Sequence, residues 1–268
     1  MVSDSCKKRF GKIMMEEMEL VAQEEIAPRI YSMILKGEMV AQMLPGQFLH
    51  IRVPDGSKLL RRPISISEID PETQTCRLIY RIEGGGTAIF SQLPIGIKLS
   101  VMGPQGNGFD LTNLGQGQKA LIIGGGIGVP PLVQVAKQLH EQGVEVHSVL
   151  GFATKEAVIL EEELKQYGQV TITTDDGSYG IQGNVSTVVE TLNEDIDAVY
   201  SCGAPGMLKY VDSKFYDHPR AYISMESRMA CGMGACYACV VHLENASQAA
   251  NKRVCEDGPV FETGTIVM

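Results

Sequence analysis

Four of the seven cysteines of this 268-residue chain lie in one short stretch near its end: Cys231, Cys236, Cys239 and Cys255. An odd total of cysteines argues against a disulfide framework and favours metal ligation or redox chemistry in a reducing compartment. The start of the chain, MVSDSCKKRFGKIMMEEMEL, has no apolar signal core, and no run of about eighteen apolar residues occurs anywhere. We therefore expect a cytoplasmic protein without a membrane partner.

The spacing of these cysteines is Cys-x4-Cys-x2-Cys-x15-Cys. Plant-type 2Fe-2S sites have this arrangement, in which one tight loop supplies three thiolates and a later turn supplies the fourth. The segment CGMGACYAC is rich in glycine and alanine, which lets a loop turn sharply and point backbone N–H groups at sulfur. A four-cysteine zinc site is the alternative, but such sites usually pair two Cys-x2-Cys knuckles, and only Cys236 and Cys239 form one here. We predict a 2Fe-2S cluster.

Composition and charge restrict the partners. The chain is 44% hydrophobic and 21% charged, which is typical of a globular protein, and its length suggests two or three domains. The formal net charge of −9 and the lack of a basic stripe argue against a nucleic-acid partner. Small molecules and proteins are the expected partners.

Three stretches with different hydrophobic patterns predict a multidomain protein, preceded by an N-terminal extension at residues 1–17. Residues 18–114 contain runs of period two, such as GQFLHIRV and CRLIYRI, which predict an antiparallel β-barrel of about six strands. Residues 115–221 alternate short apolar runs with helical segments, which predicts an α/β parallel-sheet nucleotide domain. Residues 222–268 are expected to form a small Cys-rich iron–sulfur domain. This segment is too short to bury much core, so it needs its cluster for stability.

Two segments of the barrel indicate a flavin phosphate site. RRPISIS places Arg62 at a strand start, where a guanidinium can fork onto phosphate oxygens. YRIEGGGTAIF places Gly86 and Thr87 at the start of a predicted helix, where free amides can bind pyrophosphate. Taken singly, each segment is more typical of an ordinary structural element, a charged strand end for the first and a glycine-rich hairpin for the second.

A glycine-rich turn in the second domain suits a nucleotide. ALIIGGGIGVPPLVQVAKQL sets this turn between a buried strand and a helix opened by Pro130. Val129 replaces the last glycine of a strict GxGxxG pattern, so the turn alone does not establish a Rossmann site. The candidate nucleotide-binding glycines are Gly124, Gly125, Gly126 and Gly128.

In chain order, the segments RPIS, GGGT, GGGIGVPP and CGAPGML resemble the ferredoxin-NADP reductase superfamily. The C-terminal CGMGACYAC and RVCEDGPVF narrow the resemblance to the electron-transfer subunits of type B dihydroorotate dehydrogenases, from about Met18 onward. The resemblance implies FAD and one 2Fe-2S cluster as cofactors and NAD(H) as substrate. It implies FAD contacts at Arg62, Pro63, Ile64, Ser65, Ile79, Tyr80, Arg81, Gly86 and Thr87.

The same resemblance places the CGAP turn beside the nicotinamide. Cys202 then has either a positioning role or, equally, the inert character of a buried thiol. TTDDGSYG places Asp175 and Asp176 at a strand end, where a carboxylate can meet a ribose and repel a 2′-phosphate, so we expect NADH rather than NADPH. The cofactors supply the chemistry, so no catalytic acid or base is expected, and the five histidines are expected to be surface or core residues.

The implied function is electron transfer between NAD(H) and the FMN of a partner dihydroorotate dehydrogenase catalytic subunit in pyrimidine biosynthesis, within a heterotetramer. Two alternatives remain open. A subunit of another complex, such as a bifurcating ferredoxin-NADP transhydrogenase or a sulfur-reducing hydrogenase, would share every cofactor motif. A zinc-stapled nucleotide-binding module without redox activity would share the nucleotide turn and the cysteines.

Overall fold

The computed structural model describes residues 13–192, 195–244 and 250–268. Its first part is a closed antiparallel barrel in the order β1-β2-β5-β4-β3-β6, which confirms the six strands expected from the period-two runs. The strands are β1 (Met14–Ala27), β2 (Ile30–Lys36), β3 (Phe48–Ile51), β4 (Arg62–Asp70), β5 (Thr75–Arg81) and β6 (Lys98–Gln105), and helix α1 (Gly85–Phe90) follows β5.

The barrel begins earlier than the sequence pattern indicated. Residues 14–17, expected to belong to an extension, lie in β1 and pair with residues 100–103 of β6. Their side chains show little burial, since Met15 is exposed and Met18 is the first fully buried residue of the strand. Backbone pairing extends β1 beyond its buried face, so the first strand takes in residues 14–17 of the expected extension. Residues 1–12, including Cys6, lie outside the described residues.

The second part is a seven-stranded sheet in the order β10-β9-β8-β7-β11-β12-β15. The remaining strands are β7 (Lys119–Gly125), β8 (Glu145–Phe152), β9 (Gln169–Thr174), β10 (Ile181–Gln182), β11 (Ala198–Cys202), β12 (Ala221–Ser224), β13 (Val240–His242), β14 (Asn251–Arg253) and β15 (Val260–Glu262). The remaining helices are α2 (Pro130–Glu141), α3 (Glu161–Leu164), α4 (Val185–Val189) and α5 (Pro205–Lys214). All pairs in this sheet are parallel except β12 with β15.

The third part is not separate from the sheet. The expected boundary at residues 221 and 222 falls inside β12, which pairs in parallel with β11. The chain then forms the cysteine loops and a small β13–β14 hairpin, and β15 returns to pair antiparallel with β12. The tail therefore supplies the edge strand of the nucleotide sheet, which fixes the cysteine loops against it.

Polar contacts join the three parts. The Asn107 side chain, just after β6, donates from Nδ2 to the carbonyl of Val260 at 2.7 Å and accepts from the Val260 N–H at 3.2 Å. On the other side of the barrel, the backbone N–H of Ile69 donates to Oε1 of the buried Gln134 on α2 at 2.9 Å. None of the described helices combines the length and hydrophobicity of a transmembrane span.

Candidate cofactor cleft and thiol loop

A cleft of about 1230 Å³ runs between the barrel, the carboxyl edge of the parallel sheet and the start of the tail. Strands β4 and β5 and the turn into α1 form its barrel wall, and the turns after β7, β9 and β11 form its sheet wall. Thirteen predicted residues face it: Arg62, Pro63, Ile64, Ser65, Ile79, Tyr80, Arg81, Gly86, Thr87, Gly125, Gly126, Gly128 and Asp175. A smaller groove of about 470 Å³ at the starts of β7 and β8 contains none of them.

Arg62 lies against the start of α1. A Cβ on Gly86 would collide with its guanidinium, so glycine permits this contact. The Thr87 hydroxyl accepts from the N–H groups of Glu83 and Gly84 at 3.1 and 3.3 Å, which shapes the turn. The first N–H groups of a helix have no partner within it. The guanidinium and the first amides of α1 therefore form one group of hydrogen-bond donors on the barrel wall.

The glycines of the glycine-rich turn have two different roles. Gly126 has φ +52°, a left-handed conformation that favours glycine, and no atom lies within 4 Å of its missing Cβ. Gly124 does not line the cleft, because its missing Cβ would lie 2.9 Å from Val129 and 3.0 Å from Leu150. Gly124 thus serves the close packing of the turn on the sheet, in contrast to its expected place among the nucleotide contacts.

The two adjacent aspartates differ. Asp175 lines the cleft. The carboxylate of Asp176 instead accepts from Oγ and N–H of Ser178 at 2.6 and 3.0 Å, and these hydrogen bonds lower the pKa of Asp176. Only Asp175 is therefore placed to meet a ligand in the cleft.

The Cys202 thiol lies beneath the cleft wall. Its residue is 1% exposed, and burial raises the pKa of the thiol, with the charge of Glu226 acting in the same direction. The residues that follow, 203–205, do line the cleft. The structure therefore places the CGAP turn, but not its thiol, at the site.

Several cleft residues were missed from the sequence. Residues 225–229 and Pro259, all from the tail, close the cleft on the side facing the cysteine loops. No motif marks them, because their position depends on β12 and β15 pairing at the sheet edge.

The four cysteines lie on the tail loops with different exposure. Cys239 and Cys255 are buried, Cys231 is half-buried and Cys236 is exposed. The backbone N–H of Gly234 donates to Sγ of Cys255 at 3.1 Å. The backbone N–H of Met233 lies 3.5 Å from Sγ of Cys231. The loop therefore points amides at sulfur, as the glycine-rich sequence predicts.

The thiols contact one another in two pairs, Cys231 with Cys236 and Cys239 with Cys255. Burial alone would raise the pKa of Cys231, but hydrogen bonds from the Met233 amide, the Cys236 thiol and neighbouring amides lower it to about 7. Burial, followed by the contact with Cys239, raises the pKa of Cys255. Within the described ranges, no three His, Cys, Asp or Glu side chains converge on a point suited to one metal ion. Four thiols gathered on these loops in the Cys-x4-Cys-x2-Cys-x15-Cys spacing are the ligand set of a 2Fe-2S cluster.

Phe48 belongs both to the cleft wall and to the apolar cluster around two of the thiols. Its side chain lines the cleft and also belongs to the apolar cluster that contains Cys239 and Cys255. The cleft and the buried pair of thiols therefore border the same apolar cluster.

Comparison with known proteins agrees with this geometry. Residues 226–267 match a family model described as the iron-sulfur cluster binding domain of dihydroorotate dehydrogenase B, and residues 122–213 match an oxidoreductase NAD-binding domain. The chain is 68% identical over 256 residues to the dihydroorotate dehydrogenase B (NAD(+)) electron transfer subunit of Streptococcus mutans, a match covering 96% of this chain and 99% of that relative. The chain belongs to this family. The corresponding subunit of Geobacillus thermodenitrificans is 50% identical over 255 residues, covering 94% of this chain and 98% of that one.

Solved structures share this fold over most of the chain. The NADH-dependent reduced ferredoxin-NADP oxidoreductase, studied for flavin-based electron bifurcation, superposes with a TM-score of 0.83 at 27% identity, over 94% of this chain and 90% of that one. The ferredoxin reductase in carbazole 1,9a-dioxygenase shares the fold, with a TM-score of 0.66 at 21% identity, over 78% of this chain and 67% of that one. These neighbours and the family models confirm the expected fold class.

The comparisons also decide between the alternatives. A bifurcating transhydrogenase subunit shares the fold, but 27% identity to that enzyme against 68% to the dihydroorotate dehydrogenase B subunit places this chain with the latter. The match of residues 226–267 to an iron-sulfur cluster binding domain argues against a module that binds zinc instead. The expected function, NAD-linked electron transfer, and the expected FAD, 2Fe-2S cluster and NAD(H) are those of this family.

Proposed function

We propose that this chain transfers electrons between NAD(H) and the FMN of a dihydroorotate dehydrogenase catalytic subunit. FAD binds in the cleft, and the four cysteines bind a 2Fe-2S cluster. The position of Phe48 carries the proposal, because this residue borders the cleft and belongs to the apolar cluster that also contains Cys239 and Cys255. The cleft proposed for FAD and the buried thiols therefore border one apolar cluster within the same chain.

The barrel wall binds FAD in this proposal. The Arg62 guanidinium forks onto the pyrophosphate, and the first amides of α1, at Gly86 and Thr87, donate to the same phosphates. Residues 63–65 of β4 and 79–81 of β5 form the surface on which the flavin ring lies.

The sheet wall binds the nicotinamide nucleotide as substrate. The turn at Gly125, Gly126 and Gly128 leaves room for phosphates close to the backbone, and the Asp175 carboxylate accepts from a ribose hydroxyl. Residues 203–205 border the nicotinamide. The buried Cys202 thiol supports this turn from behind and takes no part in the reaction.

When bound, FAD and the cluster supply hydride and single-electron chemistry, so no protein acid or base is required. The chain orients the nucleotide and flavin from opposite walls of one cleft. Apolar side chains, including Phe48 and Met229, exclude water between the cleft and the thiols.

The partner subunit binds at the exposed side of the thiol loop. Cys236 is exposed there, and the neighbouring Met233 and Tyr237 side chains are 49% and 60% exposed. Apolar groups exposed around a redox centre suit a protein interface. The relatives' designation as electron transfer subunits implies a partner, and we propose a heterotetramer with the FMN-containing catalytic subunit. We place it in the cytoplasm, where the six free cysteines of the described chain stay reduced.

Anaerobic purification, alone and after coexpression with a dihydroorotate dehydrogenase catalytic subunit, tests the proposal. We expect one FAD and one 2Fe-2S cluster for each chain, flavin bleaching by NADH in the isolated chain, and FMN reduction by NADH only in the complex. Zinc in place of iron, or equal FMN reduction by NADH without this chain, would contradict the proposal.

A further inference from the structure

Two buried polar side chains lie under the thiol loop without hydrogen-bond partners. His50 is 0% exposed and Gln105 is 1% exposed. By strict hydrogen-bond geometry neither ring nitrogen of His50 and neither amide atom of Gln105 has a partner among the described residues, although the backbone of Cys231 already approaches the His50 ring. A buried polar group without a partner costs about 1–3 kcal/mol. Two such groups at one place need an explanation.

Both side chains meet at Gly232, the residue after the first cysteine. A Cβ on Gly232 would collide with Nδ1 of His50 and would lie 3.0 Å from Oε1 of Gln105. Gly232 also has φ +69°, so both its conformation and its surroundings require glycine. The loop backbone at Cys231 and Gly232 is thereby pressed against the two polar side chains.

Both residues belong to strands of the barrel. His50 of β3 pairs with Pro63 of β4, within the predicted FAD segment. Gln105 of β6 pairs with Phe48, which lines the cleft. The Arg61 guanidinium holds the β3 backbone by donating to the carbonyl of His50 at 3.3 Å. The two side chains therefore lie on the same rigid elements as the FAD cleft.

We propose that His50 and Gln105 are positioning residues for the cluster, and that they hydrogen-bond to the backbone of Cys231 and Gly232 when the loop is loaded. An imidazole can donate from one nitrogen and accept at the other, and a carboxamide offers both groups. Both side chains thus match the N–H and carbonyl groups of the loop. They hold the first cysteine in a fixed position relative to the strand that borders the FAD cleft. This inference rests on the proposed function.

Two substitutions at His50 separate hydrogen bonding from packing. His50→Gln keeps a donor and an acceptor, whereas His50→Leu keeps neither. Ser148→Ala is a matched control, because Ser148 is also buried without a partner among the described residues but lies on β8 of the nucleotide sheet. The readouts are iron and sulfide content, the chelator concentration that removes the cluster, the EPR spectrum of the reduced cluster and its midpoint potential.

We expect His50→Leu to lose its cluster at about tenfold lower chelator concentration, as found when groups supporting metal ligands are removed. Its EPR spectrum and midpoint potential should shift. His50→Gln and Ser148→Ala should behave like the unsubstituted protein. FAD content and NADH reduction of the flavin should be unchanged in all three variants, since the cleft is intact.

Equal behaviour of His50→Leu and His50→Gln would show a packing role and overturn the proposal. If His50→Leu fails to fold, as judged by lost FAD, Gln105→Met makes the same comparison with a side chain of similar shape. Unchanged cluster retention and EPR spectrum in Gln105→Met would equally overturn it. Failure of the proposed function itself would be visible in the unsubstituted protein, as missing iron or no flavin reduction by NADH.

Discussion

A Cβ on Gly128 would lie 2.5 Å from both the carbonyl carbon and the carbonyl oxygen of Cys202. The turn after β7 therefore touches the backbone at the end of β11 with no room for a side chain. Cys202 also pairs with Gly124 across the parallel strands, so the two strand ends are fixed relative to each other. This contact brings the glycine-rich turn and residues 203–205 into one cleft wall.

Gly128→Ala should disturb this wall, because the atoms it meets are backbone and cannot turn away. We expect a loss of about 1–3 kcal/mol in unfolding free energy and weaker NADH binding. Thermal unfolding and the NADH concentration dependence of flavin reduction measure the two effects. Gly206→Ala is the control, since it lies in α5 with no atom within 4 Å of its missing Cβ. Similar losses in both variants would show that the contact with Cys202 is not the cause.

The parts of the fold that sequence patterns could predict are those with local signals. Alternation in GQFLHIRV indicates that Leu49 and Ile51 face the barrel interior, and both are buried there. The glycine-rich turn before Pro130 correctly indicates a strand followed by a helix. Each of these signals arises within a few residues and depends on backbone geometry alone.

Features that depend on contacts between distant segments could not be predicted. The same alternation predicts that His50 lies outside the barrel, but no local pattern indicates that the thiol loop covers it. β15 has three residues, too few to show a period, and its place at the sheet edge follows from pairing with β12. The part of the cleft wall formed by the tail, and the positions of His50 and Gln105 under the thiol loop, likewise depend on contacts between distant segments.

Arg62→Ala should weaken FAD retention, because a guanidinium fork to phosphate would be lost from the barrel wall. Hydrogen bonds to charged groups contribute about 1.5–3 kcal/mol, so we expect at least about a tenfold rise in the FAD dissociation constant. Arg62→Lys keeps the charge without the fork and should give an intermediate value. Equilibrium binding of FAD to the flavin-depleted protein measures these values. Wild-type affinity in Arg62→Ala would remove Arg62 from the FAD site.

Asp175→Asn should relax the preference for NADH, because the repulsion of a 2′-phosphate would be lost. The unsubstituted protein should be reduced much faster by NADH than by NADPH. Asp176→Asn is the matched control, since that carboxylate is hydrogen-bonded to Ser178 and does not line the cleft. Stopped-flow flavin reduction with each nucleotide gives the ratio of rates. A larger change in that ratio for Asp176→Asn than for Asp175→Asn would reverse the assignment.

Cys236→Ser should separate electron entry from electron exit. Cys236 is the exposed thiol of the four, so its replacement disturbs packing least, yet serine is a poor iron ligand and the cluster should be lost or incomplete. NADH should still reduce the FAD, because the cleft residues are unchanged, whereas reduction of the partner FMN should stop.

Cys76→Ser is the control. This thiol is buried in the barrel, and burial raises its pKa to about 12. Its loss should leave the iron content unchanged. Iron and sulfide content, flavin reduction and partner-dependent turnover are measured on the same preparations. Full reduction of the partner by a folded, cluster-free Cys236→Ser variant would show that electrons leave by another route.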